Sequence, residues 1–163
     1  QGRFDVVDTV WGLLSSLGEP AARLTLAVLA SSVIGWEREI GGHPAGLRTN
    51  IMVALGAAIF TLLSQDIVAK GTGDPTRVIA GVAQGIGFLG AGTIFLDANR
   101  IKGLTSAATI WVMGGLGIAW GAGSYPTAIL GTLAAFVVLR TIKRLELVTA
   151  EKLRNRVDRR DTL

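Results

Sequence analysis

The residues best placed to do chemistry lie on either side of a short turn rich in glycine and proline. Glu37, Arg38 and Glu39 come before the turn, and Arg48 and Asn50 follow it. Opposite charges at a membrane boundary attract more strongly when they are partly buried than when they are in water. These five residues therefore form a candidate polar pocket for a ligand or cation. The alternative is an ion pair between Glu37 and Arg48 that only anchors two helix ends.

The sequence offers little for catalysis or metal binding. It has no cysteine, and its single histidine, His43, lies in the turn. A zinc site needs several Cys, His or carboxylate ligands, and a magnesium site needs carboxylates and water. Phosphate-binding loops and Ser/His/Asp motifs are also missing from the sequence. We therefore expect no enzymatic activity, no metal site and no cofactor.

Long apolar runs separated by short charged segments must position these residues. Half of the residues are hydrophobic, and glycine is frequent. Each run is close to the length that crosses a hydrocarbon core of about 30 Å. The pattern predicts an all-α polytopic membrane protein with a bundle of five transmembrane helices. The predicted spans are residues 21–40, 47–69, 77–96, 104–123 and 125–142.

The two ends of the chain differ from the apolar middle. Residues 1–20 mix apolar residues and aspartates, which is typical of an amphipathic helix lying at the membrane interface, with Trp11 at headgroup level. A disordered lead-in is the alternative. We therefore divide the chain into an N-terminal interfacial segment (1–20), a five-helix transmembrane domain (21–145) and a basic cytoplasmic tail (146–163).

The basic residues predict the orientation of the bundle. Arg38, Arg48, Arg100 and Lys102 fall on one side of the predicted membrane, together with the tail. Short loops rich in Lys and Arg face the cytoplasm, so the N-terminus is expected outside and the C-terminus inside. Membrane topology accounts for the net charge of +4, so we expect no binding to nucleic acid. The lipid bilayer is the expected partner.

The third and fourth spans are unusually rich in glycine. Small residues four positions apart allow transmembrane helices to approach closely, so the third span is expected to pack on several sides. The candidate packing glycines are Gly81, Gly85, Gly87, Gly90, Gly92, Gly114, Gly117 and Gly121. Gln84 and Thr105 are candidates for hydrogen bonds between helices. The hydroxyl of Thr105 could equally bond to a carbonyl one turn back.

Three segments resemble the MgtC/SapB family of bacterial inner-membrane proteins. They are GWEREIGGHPAGLRTN (35–50), RVIAGVAQGIGFLGAGTIF (77–95) and RIKGLTSAATIWVMGGLGIAWGAG (100–123). The resemblance implies a multi-pass, five-helix protein of the bacterial inner membrane. It also implies a link to growth at low magnesium and to virulence, and, for the family's namesake, inhibition of the rotary ATP synthase. The namesake carries an ACT-like domain after its last helix, whereas here we expect the membrane domain alone.

Two functions remain open on these grounds. The favoured one is a regulator that acts through helix contacts, either as a homo-oligomer, with a dimer foremost, or with another integral membrane complex. The alternative is an oligomeric transporter or channel subunit for magnesium or another small solute. Between their charged ends the predicted spans contain no Asp or Glu, which argues against a magnesium path through a single chain.

Overall fold

Five α-helices and one β-hairpin make up the described part of the chain. In the computed structural model the backbone is described for residues 2–71 and 73–158, and the side chains for residues 12, 16–71 and 73–141. In chain order the elements are α1 (Gly2–Ile40), α2 (Leu47–Ala69), α3 (Pro75–Ala91), β1 (Phe95–Asp97), β2 (Arg100–Lys102), α4 (Leu104–Gly121) and α5 (Tyr125–Asp158).

The core of the bundle lies around α4. This helix contacts each of the other four helices, and more than half of its residues are buried. A helix that is apolar on every side is expected to be surrounded by protein in this way. Met113, Leu116 and Trp120 of α4 pack against residues of α1, α2 and α5. The fold therefore positions its polar sites by their relation to α4.

The face of α2 that meets α4 is built from small residues. Ala54, Ala57, Ala58 and Thr61 are buried there, three or four positions apart. That spacing places them on one side of a helix with 3.6 residues per turn. Because these side chains are small, the backbones of α2 and α4 can approach closely.

The third helix is shorter than the sequence predicts. Asp74 caps its first turn by accepting a hydrogen bond from the Thr76 amide at 2.9 Å, and Pro75 is at its first position. Hydrogen bonds from the Thr76 hydroxyl and amide lower the pKa of the Asp74 carboxyl. The helix then ends at Ala91.

The last two residues of the predicted third span, Phe95 and Leu96, belong to the first strand of the β-hairpin. The two residues of its turn, Ala98 and Asn99, have φ of 45° and 66°, which is typical of a tight turn between twisted strands. Phe95 pairs with Lys102 across the hairpin. The predicted boundary at Leu96 is wrong because apolar residues continue past the end of the helix into a strand.

The first helix is longer than the sequence predicts. It runs without a break over Gly2–Ile40, with Pro20 inside it. Residues 2–20 are therefore the beginning of α1, not a separate helix or a disordered lead-in. Trp11 lies outside the described side chains. At the other end of the chain, α5 continues as a helix into the predicted tail.

Three helical segments are long and apolar enough to cross a membrane. They are Ser16–Ile40, Leu47–Ala69 and Leu104–Gly121, and the apolar part of α5, Tyr125–Thr141, is shorter. These segments support a membrane protein. The 17 residues of α3 correspond to a length of about 25 Å. The crossing of α3, the five-span topology and the sides of the termini stay predictions.

Single-cysteine labelling tests whether α3 crosses the membrane. Cysteines at Lys70 and Ala98 flank α3, and we expect Lys70→Cys to react only from outside and Ala98→Cys only from the cytoplasm. Thr72, the position that the sequence suggests for the outer site, lies outside the described residues. The wild-type chain has no cysteine, so each signal comes from one position.

His43→Cys is the control for this experiment. Both α2 and α3 lie between positions 43 and 98, so His43→Cys should react from the same side as Ala98→Cys. Labelling of Lys70→Cys and Ala98→Cys from one side of the membrane would contradict the crossing of α3.

Candidate functional site

Arg38 is a buried cation that joins the end of α1 to the start of α4. Its side chain is 3% exposed, and its Nη2 donates a hydrogen bond to the Ser106 hydroxyl at 2.9 Å. Its Nε is buried without a hydrogen-bond partner among the described residues. Arginine stays protonated in proteins, and an uncompensated buried charge is costly. The guanidinium thus has unused capacity to bind an acceptor.

Glu39 and Asn50 hold the turn between α1 and α2. The Glu39 Oε2 accepts a hydrogen bond from the Leu47 amide at 2.8 Å. A carboxylate is favourable at this place because the first turn of a helix carries a partial positive charge. The buried Asn50 Nδ2 donates to the carbonyls of Ala45 and Gly46 at 3.0 and 2.7 Å. These two predicted pocket residues therefore fix the path of the backbone.

The ion pair between Glu37 and Arg48 stays a prediction. Arg48 is exposed, while Glu37 lines a groove on the α5 side of α1, together with Arg140. Residues two positions apart on a helix point in nearly opposite directions, about 200° apart. Asn50 therefore faces the interior of the bundle and Arg48 faces outward. Arg38 lines a different cavity from Glu37, so the described structure does not bring all five predicted residues to one cavity.

A second arginine cluster, which sequence reasoning missed, lies at the opposite end of the bundle. Arg23 Nη1 donates to Gln65 Oε1 at 2.8 Å and to the Gly121 carbonyl at 2.9 Å, and Arg23 also pairs with Glu19. Gln65 Nε2 in turn donates to the Ala122 carbonyl at 3.2 Å. The cluster connects α1, α2 and α4. The only signal in the sequence was that Arg23 and Gln65 fall at the same end of neighbouring spans.

Two predicted packing glycines make the closest contact between α4 and α2. A Cβ atom added at Gly117 would overlap the Ala54 carbonyl oxygen, and one added at Gly121 would lie 2.7 Å from that of Ala58. Such backbone contacts cannot be relieved by moving a side chain. These glycines therefore set the distance between the two helices.

Two further glycines lie between α3 and α4. A Cβ at Gly114 would overlap the end of the Ile86 side chain, and one at Gly90 would lie 3.3 Å from the Ala107 carbonyl oxygen. Ile86 can adjust, so this contact tolerates change better than that of α4 with α2. Together these contacts hold α3 against α4 by one face.

The remaining predicted packing glycines have room for a side chain in the direction of another helix of the described chain. A Cβ added at Gly81, Gly85 or Gly87 would find nothing within 4 Å, and one at Gly92 would meet only the Leu89 and Phe88 carbonyls of the preceding turn. The helix α3 contacts both α2 and α4, but these four glycines do not provide the close approach in the described chain. Only two residues of α3 are buried.

Sequence reasoning also missed the closest crossing of α1 and α2. A Cβ added at Gly35 would lie 2.9 Å from Leu47 Cα and 3.3 Å from Asn50 Cβ. Ser31, four residues earlier, is buried in the same helix. The small-xxx-small pattern of Ser31 and Gly35 was therefore the available signal.

The two predicted interhelical polar residues make no bond to another helix in the part of the chain that the structure describes. Gln84 is exposed on α3, and Thr105 is exposed at the start of α4. The carbonyl of Thr105 accepts a hydrogen bond from the Thr109 hydroxyl at 2.7 Å. The neighbouring Ser106 makes the interhelical bond instead.

An apolar groove separates α2 from the open side of α3. Its volume is about 570 Å³, and its described lining residues are all apolar or glycine. Met52 and Phe60 of α2 and Gly81, Gly85 and Leu89 of α3 are among them. We call it the α2–α3 groove.

Comparison with known proteins identifies relatives of this chain. The sequence profile of the MgtC family matches residues 24–148. A comparison with solved structures finds no match.

Three named relatives are similar over most of the chain. "Putative magnesium transporter YhiD" of Escherichia coli K12 is 40% identical over 129 residues, which cover 76% of this chain and 60% of the relative. "Protein MgtC" of Brucella abortus is 41% identical over 129 residues, covering 79% of this chain and 53% of the relative. "Protein SrpB" of Synechococcus elongatus is 41% identical over 138 residues, covering 76% and 75%. The chain thus spans little more than half of the first two relatives.

Adding one methyl group to α4 tests the contact with α2. We expect Gly117→Ala to lower the free energy of unfolding by about 1–3 kcal/mol, because the new Cβ overlaps a backbone carbonyl. Gly115→Ala is the matched control, since a Cβ there would meet nothing within 4 Å. Thermal unfolding in detergent measures both variants. Equal midpoints for the two would show that Gly117 does not set the helix spacing.

Proposed function

Because the chain belongs to the MgtC family, we propose that it is the membrane module of an inner-membrane regulator linked to magnesium limitation and virulence. It acts through contacts between transmembrane helices. The resemblance of its sequence motifs to the family and the name of the Escherichia coli K12 relative support the link to magnesium. The observation that carries the mode of action is the open face of α3.

That face is a stripe of four residues, Gly81, Gln84, Gly85 and Phe88, which we call the α3 stripe. Their spacing of i, i+3, i+4 and i+7 places them on one side of the helix, opposite the face that packs on α4. All four are exposed, Phe88 by 81%. The two glycines let another helix backbone come close.

Gln84 indicates that the stripe is covered by protein and not by lipid. Its amide has no hydrogen-bond partner among the described residues, and hydrocarbon offers none. A second helix can supply one, as polar side chains between transmembrane helices commonly do.

The occupant that fits best is a second copy of this chain. A twofold contact needs a surface that complements itself, and α3 carries both a glycine surface and a projecting Phe88. The α2–α3 groove borders the stripe, and its volume of about 570 Å³ lies within the roughly 300–1,000 Å³ of binding pockets. It can therefore receive Phe88 from the second copy. In this dimer the two Gln84 amides lie near the axis and bond to each other.

Disulfide crosslinking in membranes tests the dimer. We expect Gly81→Cys to crosslink to a second copy and Leu133→Cys, on an exposed position of α5, not to do so. Adding Gly85→Leu to Gly81→Cys should abolish the crosslink, because the larger side chain separates the helices. The same change should leave the thermal stability of the single chain unaltered, since nothing lies within 4 Å of that site.

A growth experiment then tests whether the dimer contact is needed for function. In cells that lack their own family member, Gly85→Leu should fail to support growth at low magnesium if the wild-type chain supports it. Crosslinking that Gly85→Leu leaves unchanged, or equal crosslinking at Leu133→Cys, would contradict the contact through the α3 stripe. A lipid that stays bound in the α2–α3 groove of a chain that does not crosslink would also contradict this contact.

Transport is the second candidate, because the Escherichia coli K12 relative is named as a putative magnesium transporter. Purified protein in liposomes tests it with a fluorescent magnesium indicator inside. We expect no magnesium entry above that of empty liposomes, because regulation by contact needs none. Entry that Glu37→Gln or Arg48→Gln abolishes would support transport and overturn the regulatory proposal.

A further inference from the structure

A second cavity lies where α1 ends and α4 begins. Its volume is about 400 Å³, and we call it the Arg38 cavity. Arg38, Lys102, Thr105 and Ser106 contribute donor groups to its wall, and none of its described lining residues is Asp or Glu. The cavity is therefore rich in positive charge and hydrogen-bond donors.

The glutamates on either side of Arg38 do not line the Arg38 cavity. Glu37 lines the groove toward Arg140, and Glu39 accepts the hydrogen bond of the Leu47 amide. The only hydrogen bond of the Arg38 guanidinium to a described residue goes to the Ser106 hydroxyl, and its Nε has none. Glu37 balances part of the Arg38 charge electrostatically, but the unpartnered Nε leaves the buried guanidinium with a donor for an anion in the cavity.

The start of α4 adds donors to the same cavity. Gly103 precedes the helix with φ of 90°, and no side chain caps the first turn. The amides of Leu104, Thr105 and Ser106 have no acceptor within the helix, as in the first turn of any α-helix. These residues line the cavity, so the positive end of the helix dipole faces it.

Lys102 stands at the rim of the cavity. It forms an ion pair with Asp97 across the hairpin, and both side chains are about half exposed. Part of its charge is therefore already balanced. The buried Arg38 and the helix N-terminus are the main source of attraction for an anion.

We propose that the Arg38 cavity binds a phosphate-type oxyanion, with Arg38, Ser106 and the first-turn amides of α4 as donors. A tetrahedral oxyanion can accept from several donors at once, and a guanidinium matches its oxygens in pairs. The phosphate belongs either to a soluble compound or to the headgroup of an anionic phospholipid. The site does not depend on the α2–α3 groove, so it stands or falls apart from the proposed dimer.

Thermal unfolding of the full chain in uncharged detergent provides the first test. Inorganic phosphate is titrated at constant ionic strength against chloride, and we expect it to raise the unfolding midpoint. Arg38→Gln and Ser106→Ala should each weaken the apparent phosphate affinity about tenfold or more, since each removes a donor to a charged group. Ser106→Ala keeps the test valid if Arg38→Gln does not fold.

Arg100→Gln is the matched control. It removes a positive charge from the same hairpin, two residues from Lys102, at an exposed position that does not line the cavity. We expect it to keep the phosphate response of the wild type. An equal loss in Arg100→Gln and Ser106→Ala would mean general charge attraction and would overturn the site.

A second arm separates the two sources of the phosphate group. The chain is placed in nanodiscs of phosphatidylcholine with and without phosphatidylglycerol, and the same midpoints are measured. A rise with phosphatidylglycerol that Ser106→Ala abolishes assigns the site to a lipid headgroup, and a rise with inorganic phosphate alone assigns it to a soluble ligand. If neither probe distinguishes the wild type from Ser106→Ala, the proposal is wrong.

Discussion

The close approach of α4 to α2 is the constraint on which the rest of the structure depends. Inside a bilayer the hydrophobic effect does not drive helices together, so their association relies on packing and hydrogen bonds. Gly117 and Gly121 place the backbone of α4 directly against the carbonyls of Ala54 and Ala58. This contact gives α4 its central position, from which it reaches α1, α3 and α5.

Two arginines connect α1 to α4 at opposite ends of that arrangement. Arg23 donates to the carbonyl of Gly121, and Arg38 donates to the hydroxyl of Ser106. The later residue of α1, Arg38, bonds the earlier residue of α4, Ser106, so α1 and α4 run antiparallel. The separation from Arg23 to Arg38 equals that from Ser106 to Gly121, so the two helices keep the same register between these contacts. The two cations differ in their acceptors, because Arg23 also bonds Gln65 and Glu19. That difference is the reason for assigning a ligand to Arg38 and a structural role to Arg23.

Apolar runs were sufficient to predict the helices but not all of their ends. The starts of α2 at Leu47 and α4 at Leu104 agree with the structure because charged or glycine-rich turns precede them. The end of α3 could not be found from hydropathy, since Phe95 and Leu96 are as apolar in a strand as in a helix. The sequence also did not reveal that α1 continues through Pro20.

Sequence patterns alone did not identify which residues of the candidate sites lie together. Small-xxx-small patterns occur in Gly81 and Gly85 as well as in Gly117 and Gly121, yet among the described residues an added Cβ would meet another helix at the second pair and not at the first. Which side of a helix meets its neighbour depends on the rotation of both helices, and a single sequence does not specify that. The same rotation turns Arg48 outward and Arg38 inward, although both lie in one charged cluster.

The third helix links the two proposed sites physically. Gly90, near its end, packs against Ala107 in the second turn of α4, and the hairpin that follows it supplies Lys102 to the Arg38 cavity. An anion that binds the first turn of α4 and the hairpin therefore also restrains the end of α3. The α3 stripe lies about one to three turns away on that same short helix, which also contacts α2. If the anion binds more tightly when α3 is in one position, it also strengthens the contact that the α3 stripe makes in that position. This follows from thermodynamic linkage between the two sites.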